Sequence, residues 1–274
     1  MKAFQIIKIL THNILLATYE SNEYILIGKG IGFQKKPGML VQEEQISNYY
    51  IIQDMKKLSV YEKMVLDTPG NVLLATEKAI MLAEEELKKK FDESIHLSLL
   101  DHIRFALYRL ENNVHVGSFL TDEYYLMYPD LYRISEKMTA IINQSMNISL
   151  PVAEIGAIIL HLHAALNQEK VSQTAINAQI IGVALDFIQE NSSLNLENNH
   201  LAKARLITHL KFALKRSADQ KMHDNPIVSV IEKEYPEIYQ LSQSLAQVIE
   251  NRFMIRLSNS EIGYIALHLY NLQF

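Results

Sequence analysis

A single ungapped offset constrains this chain more than any other feature. Adding 107 to the residue number lays Leu99-Leu100-Asp101-His102-Ile103-Arg104-Phe105-Ala106-Leu107-Tyr108-Arg109 on Leu206-Ile207-Thr208-His209-Leu210-Lys211-Phe212-Ala213-Leu214-Lys215-Arg216. The same shift lays Tyr128-Pro129-Asp130-Leu131-Tyr132 on Tyr235-Pro236-Glu237-Ile238-Tyr239. It also lays Glu154-Ile155-Gly156 on Glu261-Ile262-Gly263. His102 and His161 fall on His209 and His268, and the members of each pair lie 59 residues apart. Self-similarity at a fixed period means a duplicated structural unit.

The 274 residues leave room for more than one domain. With no cysteine, the chain has no disulfide framework, no thiolate zinc site and no cysteine nucleophile, which fits a reducing compartment. No signal peptide is evident, and no apolar run reaches the roughly 18 to 20 residues that a membrane span needs. The expected home is the cytoplasm. The net charge of −5 is uneven: residues 1–57 carry seven lysines against five acids, or +2, which leaves −7 on the remainder. A basic head on an acidic body places any nucleic acid at the head.

The first 55 residues read as β structure. Phe4–Ile9, Ile14–Tyr19 and Tyr24–Ile27 are short runs rich in aliphatic and β-branched residues. Thr11-His12-Asn13 and Glu20-Ser21-Asn22-Glu23 separate them as turns. Gly28-Lys29-Gly30-Ile31-Gly32-Phe33 suits bulges or close approach by a ligand, Pro37-Gly38 marks a turn, and Tyr49–Ile52 reads as a last strand. A sheet this small is expected to dimerise to complete its core.

The remainder reads as helical. Ala75–Phe91 shows helical periodicity with acids preceding bases. Pro129 and Pro236 mark a shared kink or helix start, and Pro151 sits where the next helix of the first copy should begin. Ser258-Asn259-Ser260-Glu261 has the capping-box pattern, and the join between copies is expected near 168–174. The expected fold is multi-domain: a small all-β domain, a dimerising antiparallel sheet over 1–57, followed by two homologous all-α helical bundles over 65–170 and 171–274.

A histidine on an apolar helix is ordinarily a satisfied core residue. Four that recur as two equally spaced pairs ask for more, because packing alone lets such positions drift. His163 and His115 show that drift, with Tyr270 and Met222 as repeat partners. These two, with His12, His96, His200 and His223, read as structural or surface residues. Metal binding needs three or four converging ligands, yet no carboxylate repeats at ligand spacing beside His102 or His209. Acyl transfer needs a nucleophile, yet no serine or threonine is duplicated beside the histidines. The remaining chemistry is the imidazole as phosphoryl acceptor, since its ordinary pKa of about 6.5 leaves a nucleophilic lone pair near neutrality.

The combination of Lys8, Asn13 and Gly28-Lys29-Gly30-Ile31-Gly32-Phe33-Gln34-Lys35-Lys36-Pro37-Gly38 with the two histidine-pair repeats resembles the BglG/SacY-type transcriptional antiterminators. The resemblance spans essentially the whole chain. It implies an RNA-binding co-antiterminator head and two PTS-regulation domains. The head would grip, as a symmetric dimer, a hairpin in a nascent leader transcript and so keep an overlapping terminator from forming. Lys8 and Lys29 would neutralise phosphates, Asn13 would contact a base or ribose, and Gly28 and Gly30 would admit the RNA backbone. Phe33 would stack on RNA or pack in the dimer core. Lys29 departs from the arginine that relatives often carry, which removes the bidentate fork. By the same resemblance, a sugar-specific permease of the phosphotransferase system phosphorylates His102 and His161 and inactivates. The histidine-containing phosphocarrier protein phosphorylates His209 and His268 and activates. No cofactor, metal, catalytic residue or membrane insertion is implied, so the chain reads as a regulator and not an enzyme. A DNA-binding activator with the same regulatory domains is the alternative. It needs a helix-turn-helix at the front, where this chain is β-rich.

Overall fold

A computed structural model describes residues 2–51, 63–114, 121–196, 199–219 and 224–272. His115, His223 and the head residues from Ile52 to Lys57 lie outside the described residues. The chain divides into two compact units: Met1–Ser118 with Asp130–Gln168, and Phe119–Pro129 with Glu169–Phe274.

The head is a five-stranded antiparallel sheet of β1 (Ala3–Thr11), β2 (Ile14–Tyr19), β3 (Asn22–Ile27), β4 (Leu40–Gln42) and β5 (Asn48–Ile51), in the order β4-β1-β2-β3-β5. β2 and β3 meet through the two-residue turn Glu20-Ser21, both at positive φ (48° and 65°), as a turn matched to strand twist requires. Asn22 and Glu23, read as turn residues from sequence, open β3. β4 is three residues long, too short to show an alternating pattern, and it was not legible in the sequence. On one face Phe4, Ile6, Leu15, Ala17, Tyr24, Leu26, Ile31 and Val41 form a core cluster. The alternate residues Ile14, Leu16, Ile25 and Ile27 are buried as well. Both faces of the sheet are therefore covered within one chain, so the sheet's core does not by itself demand a second copy.

The helices of the first unit are α1 (Gly70–Leu87), α2 (Ser94–Glu111), α4 (Pro129–Met146) and α5 (Ala153–Asn167), with the short α3 (Thr121–Met127) preceding Pro129. Those that follow are α6 (Val171–Asn191), α7 (His200–Ala218), α8 (Val228–Glu234), α9 (Pro236–Phe253) and α10 (Asn259–Tyr270). The 107-residue shift carries α3 onto α8 and α4 onto α9 end for end, and it overlays α1, α2 and α5 on α6, α7 and α10 within a few residues. Pro129 and Pro236 are first residues of their helices, where a missing N–H and a fixed φ cost nothing. α1 stops at Leu87, short of the expected Phe91, because Lys88 turns left-handed (φ 53°). The join between the copies is Gln168–Lys170, where left-handed Gln168 (φ 55°) ends α5.

α2 buries Ile95, Leu99, Ile103 and Ala106 along one stripe, and α7 buries Leu206, Leu210 and Ala213 at the corresponding places. By length and composition α6 could cross a membrane, but Ile180, Ile181, Ala184 and Ile188 are buried and it packs on α7 and α9. Within the second unit Lys211 donates to the Met127 carbonyl at 2.7 Å and lies 4.1 Å from the Tyr128 ring centroid, so the lysine sits against a ring as well as a carbonyl.

Ile103 is fully buried in the α2 stripe. Ile103→Ala is expected to lower stability by about 2–5 kcal/mol. Urea titration followed by helical circular dichroism measures it, and an unmoved midpoint would show that the stripe is not a tight core.

Candidate functional site

The two histidines of the first pair come from different helices, His102 from α2 and His161 from α5, with ring centroids 5.1 Å apart. Beneath them lies Glu154, at the start of α5 and buried. His102 Nε2 stands 2.9 Å from one Glu154 oxygen, and Arg109 Nη2 donates to the other at 2.6 Å. Arg109 follows His102 by seven residues, two helical turns, which places both on one face of α2. The His102 contact is close but poorly directed, so it acts as charge pairing more than as a straight hydrogen bond. Burial alone would raise the Glu154 pKa, but His102 and Arg109 outweigh it and hold the carboxylate below its ordinary range. His161 is buried, and its Nδ1 lies 3.2 Å from Ser98 Oγ, one turn before His102. Burial, with neighbouring His102 adding to it, pushes His161 from an ordinary 6.5 down to about 3.

The second pair repeats this construction. His209 on α7 and His268 on α10 have ring centroids 4.9 Å apart. His209 Nε2 is 3.1 Å from Glu261, again at a poor angle. Arg216 grips Glu261 with two bonds, Nε at 2.6 Å and Nη2 at 2.8 Å, where Arg109 makes one contact with Glu154. Burial pushes His209 down to about 4, with the His268 ring contributing. Burial, then the nearby Arg205 cation, lowers His268 as well. His161 and His209 are therefore neutral near pH 7, and their imidazole lone pairs are free of a ring proton's charge.

The structure brings all four sequence-predicted histidines into two like sites, and it adds residues whose role sequence reasoning missed. A carboxylate does repeat beside each first histidine. It comes from the neighbouring helix 52 residues on in each copy (102 to 154, 209 to 261), so a search at local ligand spacing could not find it. The usable signal was the repeat itself, which keeps Arg109 and Glu154 as Arg216 and Glu261. Ser258 does cap α10 by accepting from the Glu261 N–H at 3.3 Å. The Glu261 side chain does not complete the capping box, because Arg216 and His209 hold it. No cluster of three metal-ligand residues occurs among the described residues. His96 is structural: its Nδ1 meets buried Glu77 at 2.9 Å.

At the head, one end of the sheet gathers Asn13, Gly28, Lys29, Gly30 and Phe33. Asn13 ends the β1–β2 turn, and its side-chain Oδ1 accepts from Gly30 N–H at 2.7 Å, while its backbone carbonyl accepts from Gly28 N–H at 3.0 Å. Asn13 thus spends its acceptor on holding the glycine loop, and its amide N–H groups have no partner among the described residues. A Cβ on Gly28 would stand 2.6 Å from the Gln45 carbonyl, and Gly30 sits at φ 70°. Lys29 and Gly30 are exposed, and Phe33 is 60% exposed with its ring edge against His12. Lys8 lies farther along β1, opposite Leu16, next to a register shift between Ile6 and Lys8. That irregularity leaves Ile7 and Lys8 both outward, breaking the alternation of a regular strand.

The profile of the PRD domain matches residues 77–165 and again 184–272, and that of the CAT RNA binding domain matches residues 4–59. The chain belongs to the BglG/SacY-type antiterminator family. Curated relatives of this antiterminator include protein GlcT of Staphylococcus haemolyticus (strain JCSC1435), 27% identical over 276 residues, covering 100% of this chain and 97% of the relative. Protein GlcT of Staphylococcus aureus (strain Newman) is 29% identical over 280 residues, covering 100% and 98%. The crystal structure of GlcT CAT-PRDI aligns with 31% identity and a TM-score of 0.56 over 60% of this antiterminator and 98% of that chain.

Two outcomes follow from the geometry. In the unfolded chain His161 takes up a proton as pH falls through about 6.5, but in the fold not until about 3. Its share of stability is thus full above about 6.5 and is lost as pH falls toward 3. Removing the ring in His161→Gln should flatten the fall of stability with acid across that window in urea titrations, and an unchanged slope would contradict a buried neutral ring. At the head, Asn13→Ala should release the Gly30 amide. Its hydrogen exchange should quicken by about ten-fold, in line with one lost hydrogen bond of about 1 kcal/mol. Equal exchange in both proteins would remove Asn13 from that role.

Proposed function

We propose that this antiterminator binds, as a homodimer, a hairpin in a nascent leader transcript and so prevents a terminator from forming ahead of sugar-utilisation genes. It acts in the cytoplasm as a regulator, not as an enzyme. The observation that carries this reading is the pairing of a CAT RNA-binding head with two copies of one buried His–Glu–Arg site.

In the head, Lys8 and Lys29 neutralise RNA phosphates, and the free amide N–H groups of Asn13 donate to a base edge or ribose. The glycine loop, held open by Asn13, lets the RNA backbone approach Gly28 and Gly30. Phe33 offers an exposed ring for stacking.

In the body, the sugar-specific permease of the phosphotransferase system phosphorylates His102 and His161 when sugar is absent, and this inactivates. The histidine-containing phosphocarrier protein phosphorylates His209 and His268, and this activates. Rings held neutral at pH 7 are competent nucleophiles. A phosphoryl group brings a charge of about −1.5 to −2. Set beside Glu154 or Glu261, it repels the carboxylate and competes for Arg109 or Arg216. Since each carboxylate ties two helices together, the added charge acts on helix packing.

A reporter fused behind the leader tests both halves. His209→Ala with His268→Ala should abolish stimulation by the phosphocarrier protein while hairpin binding by the purified chain persists. His102→Ala should permit antitermination without inducing sugar. Stimulation that survives the double change, together with normal sugar dependence in His102→Ala, would overturn the assignment.

A further inference from the structure

The two histidine sites share their carboxylate and arginine, but they differ in the residues that surround the second histidine. In the second unit a cleft of about 360 Å³ is lined by Ala204, Arg205, Thr208, His209, Phe212 and His268. The 107-residue shift puts Ser98 at the place of Arg205 and Asp101 at the place of Thr208, while Phe105 matches Phe212. Passing from the first site to the second therefore replaces a hydroxyl by a guanidinium and removes an acid, a change of two positive charges at one cleft. The rings differ as well. His161 is buried and its Nδ1 is taken up by Ser98 Oγ at 3.2 Å, whereas His268 is half-buried and borders the cleft. Arg205 is exposed on α7, one turn before His209, and among the described residues no carboxylate pairs with it. Arg216, the other cation near His209, is already committed to Glu261 through two bonds.

We propose that Arg205 is the phosphoryl-binding residue of the second site and the residue that makes this pair, and not the first, the better acceptor from a soluble phosphohistidine donor. This rests on the reading that His209 and His268 accept phosphate. The N–P bond of the donor breaks, its imidazole keeps the electron pair, and a lone pair of the acceptor imidazole forms the new N–P bond. Arg205 donates N–H groups to the phosphoryl oxygens during transfer and in the product, where it balances charge that Glu261 repels. At the first site Ser98 can offer a neutral hydroxyl only, and Asp101 opposes the incoming charge. Phosphate there is received more slowly from the same donor and held less firmly.

The test uses the full chain with purified phosphocarrier protein, its kinase and labelled phosphoenolpyruvate, with label at each histidine followed by mass spectrometry at alkaline quench. Arg205→Ser should slow labelling of the second pair by at least about ten-fold and shorten the lifetime of the label, since a cation on a transferring phosphoryl group carries large rate effects. Arg205→Lys should restore part of the rate, because charge remains without the fork. Ser98→Arg should raise labelling of the first pair by the phosphocarrier protein. Circular dichroism and hairpin binding check that each variant is folded. Equal rates and lifetimes in folded Arg205→Ser would overturn the proposal while leaving phosphorylation of the second pair intact. No label at His209 or His268 in the unaltered chain would instead overturn the reading on which it rests.

Discussion

A buried carboxylate shared between a histidine and an arginine is the interaction on which each regulatory bundle turns. Glu154 and Glu261 sit at the first turn of α5 and α10 and reach across to α2 and α7. Taking such a charge out of water is costly, and removing one partner of a buried pair typically destabilises by about 3–5 kcal/mol. The carboxylate is thus tolerable only while the facing helix supplies its cations. That dependence fixes the register of the two helices: His102 and Arg109 must present one face of α2, and the N-terminus of α5 must arrive beside it. The arrangement is specific more than it is strong, as an apolar contact of similar size would hold the helices at lower cost but would not respond to charge.

The two copies use this construction with different reserve. Arg216 spans both oxygens of Glu261, while Arg109 holds one oxygen of Glu154. The first site buries its second histidine, and the second leaves it at a cleft. Duplication supplied one geometry, and substitutions around it set how each copy meets added negative charge.

Much of this was legible in the sequence where a pattern repeats or alternates. The helices of the two copies follow from the offset, and Pro129 and Pro236 locate two helix starts because proline suits a first turn. Three strands of the head could be read from β-branched runs. What escaped reading depends on contacts between distant segments. β4 pairs with β1 across about 35 residues and is too short to carry a period. The carboxylate partner of each first histidine lies on another helix, so neighbouring residues give no hint of it. Asn13 was read as an RNA contact, yet in the fold its acceptor is occupied by the Gly30 N–H, a backbone bond that no side-chain pattern announces. The capping-box pattern at Ser258 is half realised because a tertiary ion pair outcompetes a local hydrogen bond for Glu261.

The Asn13–Gly30 bond has a consequence for time as well as for energy. Under the proposed function the head competes with a folding event: the transcript must be caught before the rival hairpin closes. A loop whose backbone is already fixed by Asn13 needs no ordering step after encounter, so association can run at the pace set by diffusion and by attraction to the basic head. Folding of the protein has settled in advance what a floppy loop would have to settle during the brief interval in which the polymerase is still upstream of its stop.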